Sequence, residues 1–227
     1  ALVIRTEIGD RGEEASCYGN LGNVFKSLGQ YDKAEEYHQK ALVIRTEIGD
    51  RGGEASCYGN LGTVFKSLGQ YDKAEEYHQK TLVIRTEIGD REGEATNYGN
   101  LGTVFKLKNI SKKRLSSELK LATEEGRQLT TQTKAEEYLQ KAFVIRTEIG
   151  DREGEATDYA NLGTVFKSLG EYDKAEEYLQ KAFVIRTEIG DRGGEATDYA
   201  NQGTVFKSLG QYDKAEEYLQ KALVIRT

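Results

Sequence analysis

Two cysteine–histidine pairs are the side chains best suited to metal binding or covalent chemistry. Cys17 precedes His38, and Cys57 precedes His78, by the same 21 residues. Structural zinc usually takes four ligands at short spacings such as Cys-x2–4-Cys, and a nucleophilic thiol needs an oriented base. Later copies of the pattern carry Asn97, Asp158 and Asp198 for the cysteine, and Leu139, Leu179 and Leu219 for the histidine. We therefore predict no metal site and no catalytic residue here, and interpret both positions as helix contacts.

Two other patterns are weaker candidates for chemistry. The stretch GNLGTVFK contains the glycines of a phosphate loop but lacks the GxxxxGK(S/T) spacing that cradles phosphates. Carboxylates such as Glu35 and Glu36 recur on one charged face, which is typical of solvated helices rather than of an acid–base pair. The sequence therefore predicts a protein that is not an enzyme and holds no cofactor.

A repeat of 40 residues organises the whole chain. The segment that begins ALVIRTEIGD at Ala1 returns, with small changes, at Ala41, Thr81, Ala142, Ala182 and Ala222. One step, between Thr81 and Ala142, is 61 residues long and so carries 21 extra residues. Self-similarity at a fixed period of this length is the signature of a solenoid. Because the sequence begins and ends inside a repeat, we expect it to be an excerpt of a longer array.

The composition limits the classes of partner. The 227 residues are 37% hydrophobic and 31% charged, and their net charge is −6, which disfavours a general nucleic-acid-binding surface. No apolar run approaches the roughly 18 residues of a membrane span, so we expect neither a nucleic acid nor a membrane as partner. Two cysteines do not form a disulfide framework, which favours a reducing, cytoplasmic location.

Each repeat has the pattern of two helices. Tyr18, Leu21, Val24, Phe25 and Leu28 follow one another at spacings of three and four, so they predict the apolar stripe of a first helix that Gly29 ends. Asp32 and Glu35 predict a capping box at the start of a second helix, with an apolar side made of Ala34, Tyr37, His38, Ala41, Leu42, Ile44 and Ile48. Gly49 then ends this helix, and Asp50 is placed to cap the next one. Small residues where the two helices face each other, Gly22 among them, allow a close approach.

The pattern Tyr18-x-x-Leu21-Gly22-x-x-Phe25, followed by Ala34 and Ala41, resembles the tetratricopeptide signature. The match recurs in the later repeats. Its departures are a threonine, Thr46, in place of the closing proline, a repeat six residues longer than the usual 34 or so, and Gln202 in place of a leucine. The 40-residue form is similar to Leu-Gly-Asn adaptors that link cortical G-protein subunits to spindle machinery, to kinesin light chains, and to the repeat arms of large sensor proteins. The resemblance implies an all-α, right-handed solenoid of antiparallel helix pairs.

The resemblance also implies that the first helix of each pair lines a concave groove that binds a partner's peptide. The groove-facing positions form an asparagine row, a mainly threonine row and a lysine row: Asn20, Asn60, Asn100, Asn161 and Asn201; Asn23, Thr63, Thr103, Thr164 and Thr204; Lys26, Lys66, Lys106, Lys167 and Lys207. Asparagine can both donate to and accept from a peptide backbone, and lysines favour acidic residues in the ligand. Gly19, Gly59 and Gly99, followed by Ala160 and Ala200, leave room beside the asparagines.

Residues 107–133 interrupt the third hairpin, so the predicted organisation is repeats over 1–106, a basic, helical insertion over 107–133, and repeats over 134–227. The insertion contains six Lys or Arg and three Glu. One interpretation extends the preceding helix by several turns and returns through residues 126–132, after which Thr133 and Glu136 form a capping box. The alternative is a separate helix over about residues 111–126. A docking role and a neutral insertion are equally compatible with this sequence.

The function that this sequence best supports is a scaffold or adaptor that binds a protein or peptide, preferably acidic, in its concave groove. Two other classes stay open. The chain can be a spacer or structural arm of a larger sensor protein, or an engineered or recently duplicated array without a ligand.

Overall fold

Apart from the hairpin interrupted by residues 120–124, each repeat folds as two helices joined by a turn of two or three residues. A computed structural model describes residues 10–119 and 125–226, with the side chains of 10–111 and 134–226. Within these ranges all regular structure is α-helical. The helices are α1 (Arg11–Ser27), α2 (Tyr31–Glu47), α3 (Arg51–Ser67), α4 (Tyr71–Glu87), α5 (Arg91–Leu119), α6 (Glu125–Ile149), α7 (Arg152–Leu169), α8 (Tyr172–Ile189), α9 (Arg192–Ser208) and α10 (Tyr212–Arg226).

Capping residues set the turns between helices. Asp50 caps α3, because its side chain accepts a hydrogen bond from the Gly53 amide at 2.8 Å. Gly29 ends the first hairpin helix with φ of +70°, and the Gln30 amide then bonds the Phe25 carbonyl, as in a Schellman motif. The predicted roles of Asp50 and Gly29 are therefore confirmed.

The predicted capping box at the second helix is wrong. The N-cap of α2 is Gln30, which makes no side-chain capping bond, and Asp32 lies one residue inside the helix. The reason is the turn itself. Gly29 and Gln30 already close the end of α1 by backbone hydrogen bonds, so α2 begins at Tyr31 before the chain reaches Asp32.

The chain around the insertion is helical on both sides of residues 120–124, which lie outside the described residues. α5 runs without a break for 29 residues from Arg91 to Leu119, so a separate helix that begins near 111 is not formed. α6 begins at Glu125. The expected return through 126–132 and the expected cap at Thr133 are therefore wrong, because these residues are already inside α6.

The described helices belong to two compact units, Ala1–Val104 and Phe105–Thr227. In the first unit, Leu61 and Phe65 of α3, Ala74 of α4 and Val104 of α5 form a buried cluster. In the second, a cluster around Leu139, Phe166 and Leu179 joins α6, α7 and α8. Hydrophobic faces that single hairpins cannot cover are thus buried between neighbours.

Glycine at the helix crossing permits the close approach that the sequence predicted. A Cβ atom built on Gly22 would lie 2.6 Å from the His38 ring, and one built on Gly163 would lie 2.7 Å from Leu179 Cγ. The apolar stripes are less completely buried than predicted at their ends. Val24 and Leu28 of α1 are 54% and 63% exposed, and Ile48, which follows α2, is 43% exposed. No hairpin among the described residues precedes α1 to cover its face.

Candidate functional site

The predicted groove residues all lie on the first helix of a hairpin. In the first unit these residues share the corresponding faces of α1, α3 and α5, and in the second unit those of α7 and α9. Lys106, at the start of the second unit, is also on α5. None of the fifteen side chains is buried. Asn20 and Asn23 of α1 and Lys207 of α9 are exposed, and the others are half-buried.

One cavity in the first unit brings several of these residues together. It has a volume of about 460 Å³, and its wall includes Asn60 and Thr63 of α3 and Asn100 of α5. Gly59 also lines it, and a Cβ atom built there would find its nearest neighbour, Thr81, only at 3.7 Å. The glycine therefore keeps space open beside the asparagines. Lys66 and Thr103 lie outside this cavity wall.

Sequence reasoning missed the part of the wall that comes from the second helix. Arg85, near the end of α4, pairs with Asp90 and donates a hydrogen bond to Ser56 Oγ at 3.3 Å. Asp90 caps α5, and its bond from the Gly93 amide, together with Arg85, lowers its pKa. The signal was present in the repeated IRTEIGD segment, whose arginine and aspartate recur together as Arg45 and Asp50, and as Arg146 and Asp151.

Thr81 and Asn97 complete the floor of the cavity. Both are buried, and Asn97 Oδ1 lies 3.1 Å from His78 Nδ1, from which it accepts a hydrogen bond when that nitrogen carries the proton. Burial lowers the pKa of His78 to about 4, so the ring is neutral at physiological pH. Asn97 is thus a structural neighbour of His78 that also faces the cavity.

The lysine row behaves differently in the two units. In the second unit, Lys106 donates to Thr164 Oγ1 at 2.9 Å and Lys167 donates to Thr204 Oγ1 at 2.8 Å. In the first unit, burial lowers the pKa of Lys66, and the neighbouring charge of Lys26 lowers it further. Within its described ranges the structure shows no side-chain hydrogen bond or ion pair for Lys26 or Lys66.

The cysteine–histidine positions lie at helix contacts. Burial raises the pKa of the Cys57 thiol to about 11, which keeps it protonated and a poor nucleophile. His38 is fully buried, and its pKa is lowered to about 4 by burial. No group of three or more metal-binding side chains occurs in the part of the chain that the structure describes.

The repeated helical hairpins define a class of helical-repeat scaffold, and comparisons identify the family. The tetratricopeptide repeat matches residues 1–47, 13–87, 54–111, 132–188 and 167–227. The chain therefore belongs to the tetratricopeptide repeat family, as its signature predicted, and the predicted all-α solenoid fold class is confirmed. In general terms, this chain is a protein–protein interaction scaffold.

Solved structures share this fold. BtubC (BKLC) from P. vanneervenii is 25% identical, with a TM-score of 0.73 over 95% of this chain and 81% of that one. A kinesin light chain-like protein from Podosopora anserina with nearly identical TPR-like repeats is 14% identical, with a TM-score of 0.67 over 95% and 96%. The Pyrococcus horikoshii signal transduction ATPase with a tetratricopeptide repeat sensor is 21% identical, with a TM-score of 0.70 over 95% of this chain and 30% of that one. No curated protein matched the sequence. Among the described helices, none has the length and apolar character needed to cross a bilayer.

Proposed function

We propose that this chain holds a peptide segment of a partner protein against the first helices of its hairpins. The observation that carries the proposal is the cavity of about 460 Å³ in the first unit, because asparagines from two successive repeats share its wall. A ligand there meets side chains that are half-buried and therefore partly desolvated before binding.

Asn60 and Asn100 supply the backbone contacts. Each amide can donate and accept, so a pair in successive repeats can bond a peptide main chain without selecting its side chains. Gly59 supports the same role. Glycine within a helix costs about 1 kcal/mol relative to alanine, and here the chain accepts that cost where no neighbour requires the space.

Lys26 and Lys66 supply charge attraction. Burial and, after it, the charge of Lys26 lower the pKa of Lys66, so an acidic ligand residue placed beside the two lysines would relieve an unfavourable interaction. In the second unit an acidic ligand at Lys106 or Lys167 would instead share the lysine with a threonine hydroxyl. The first unit is therefore the better place for an acidic side chain.

The protonated Cys57 thiol and the neutral, buried His38 support a non-catalytic adaptor. We propose that it works without a cofactor in the cytoplasm, where its two cysteines would stay reduced. A spacer arm without a ligand is the rival function, and a binding experiment separates the two.

The test measures the kinetics of acidic peptides on the immobilised native chain. Asn60→Ala with Asn100→Ala should speed dissociation, since oriented hydrogen bonds are lost. Lys66→Ala should slow association and reduce its salt dependence, since the charges that line a binding surface steer encounter. Gln79→Ala, on the exposed side of α4, is the control and should change neither rate.

Two outcomes would contradict the proposal. If Gln79→Ala abolishes binding while the groove variants keep the native affinity, the ligand occupies the other face. If no peptide binds the native chain, the spacer function gains support.

A further inference from the structure

The cavity in the first unit has a charge opposite to that of the lysine row. Its wall carries one positive side chain, Arg85, and two negative ones, Asp90 and Glu92, so its formal charge is −1. Arg85 is already paired with Asp90. Glu92 is exposed and forms no hydrogen bond or ion pair through its side chain within the described residues. The cavity therefore offers an available carboxylate.

Glu92 differs from the residue at the same position in most other repeats, so duplication alone does not explain it. The corresponding residue is glycine in three other repeats, namely at Gly12, Gly52 and Gly193. Glu153 is its other acidic equivalent, on α7 of the second unit. In the first unit a carboxylate at this repeat position thus occurs only at the cavity.

The lysines lie at the other end of the same helix faces. Thr63 lines the cavity, and Lys66 follows it by one turn on α3, so both side chains point to the same side. Gly52 is the residue of α3 that corresponds to Glu92 of α5, so it lies at the same height along its helix. The 14 residues from this level to Lys66 rise about 21 Å along the helix axis.

We propose that the ligand segment is dipolar: one basic side chain pairs with Glu92 in the cavity, and one acidic side chain pairs with Lys66. This inference rests on the proposed function and specifies the partner's chemistry. An extended peptide that lies along the first helices spans about 21 Å with about six residues. The basic and acidic residues are therefore separated by about four to six positions, since both side chains reach toward their partners.

Selection from phage-displayed random 12-residue peptides tests the charge pattern. The baits are the full native chain, Glu92→Gln, Lys66→Gln and the control Glu76→Gln, which removes an exposed charge from α4. The native chain and the control should enrich Lys or Arg paired with Asp or Glu at one spacing. Glu92→Gln should lose only the basic preference, and Lys66→Gln only the acidic one. Glu92→Gly, which has the residue natural at three equivalent positions, should act like Glu92→Gln.

A selected peptide then allows the contribution of the ion pair between its basic residue and Glu92 to be measured. Replacement of its basic residue by norleucine should weaken binding to the native chain about two- to fivefold at low salt, as expected of a partly exposed ion pair. The same replacement should have no effect on Glu92→Gln.

The outcomes distinguish this inference from the proposed function. Acidic enrichment without a basic partner, or a basic preference that persists in both Glu92 variants, would overturn the dipolar ligand while groove binding stands. The absence of any enriched sequence on the native chain would overturn both.

Discussion

Gly163 and Gly59 occupy the interiors of first helices but have opposite surroundings, so the same substitution should change stability in opposite directions. A Cβ atom at Gly163 would lie 2.7 Å from Leu179 Cγ and 3.1 Å from the backbone oxygen of Ala175. A Cβ atom at Gly59 would meet nothing closer than Thr81 at 3.7 Å, an ordinary contact.

The expected magnitudes follow from two terms. Alanine gains about 1 kcal/mol over glycine in a helix interior. Gly59→Ala keeps this gain. The equivalent residue in a later repeat, Ala160, shows that the repeat accommodates alanine at this position. At Gly163, overpacking costs about 1–3 kcal/mol, and Leu179 has little freedom to move because it is fully buried. Gly163→Ala should therefore lower the free energy of unfolding by about 1 kcal/mol, whereas Gly59→Ala raises it by a similar amount.

Native-state hydrogen exchange, read by mass spectrometry on peptides from each hairpin, measures both effects locally. The amides of α7 and α8 should exchange faster in Gly163→Ala, and those of α3 and α4 should exchange more slowly in Gly59→Ala. Local readout matters because repeat arrays need not unfold in one transition. Equal stabilisation by both substitutions would refute the close helix approach on which the packing argument depends.

Three further predictions concern buried ionisable groups. Burial lowers the pKa of His38 from 6.5 to about 4, so the unfolded chain binds a proton that the native first unit does not, and this unit should lose stability as the pH falls from 6.5 to 4. Burial raises the pKa of Asp158 from 3.8 to about 7, so the second unit should gain stability as the pH falls from 7 to 4. Hydrogen exchange at several pH values checks both signs. His38→Leu and Asp158→Asn should each reduce the response of its own unit without abolishing it, because burial shifts the pKa of His78 and of Asp198 in the same directions. Iodoacetamide at neutral pH should label the half-exposed Cys17 much faster than Cys57, whose thiol stays protonated, and equal rates in the native chain would contradict the burial of Cys57.

The sequence predicted the ends of helices well where the type of a single residue determines the local backbone conformation. Gly29 at a positive φ and Asp50 as an N-cap each act within a few residues, so their types reveal their roles. The capping box at Asp32 failed because a stronger local rule, the backbone closure after Gly29, had already fixed where α2 begins. The start of α6 was missed for a different reason. Polar residues after Gly126 suggested a turn, but no proline or capped break prevents a helix there.

The candidate site was only partly predictable. The asparagine and lysine rows follow from helical spacing, because residues three and four apart share a face. The contribution of Thr81 and Arg85 does not, since it depends on how the end of α4 meets the start of α5. Arg85 was visible as a repeated arginine, but its ion pair with Asp90 requires the turn geometry that brings the two together.

Near-identical repeats make departures from the repeat more informative than the repeat itself. Duplication copies a packing contact and a surface residue alike, so five aligned asparagines do not show where a ligand binds. A position that differs in one repeat, and lies where a cavity forms, carries independent information. Thr81 replaces the alanine of the other repeats, and Asn97 and Glu92 also depart from their equivalents in most of them; all three line the same cavity. Because the changes converge on one place, the second and third hairpins are where binding experiments on this array should begin.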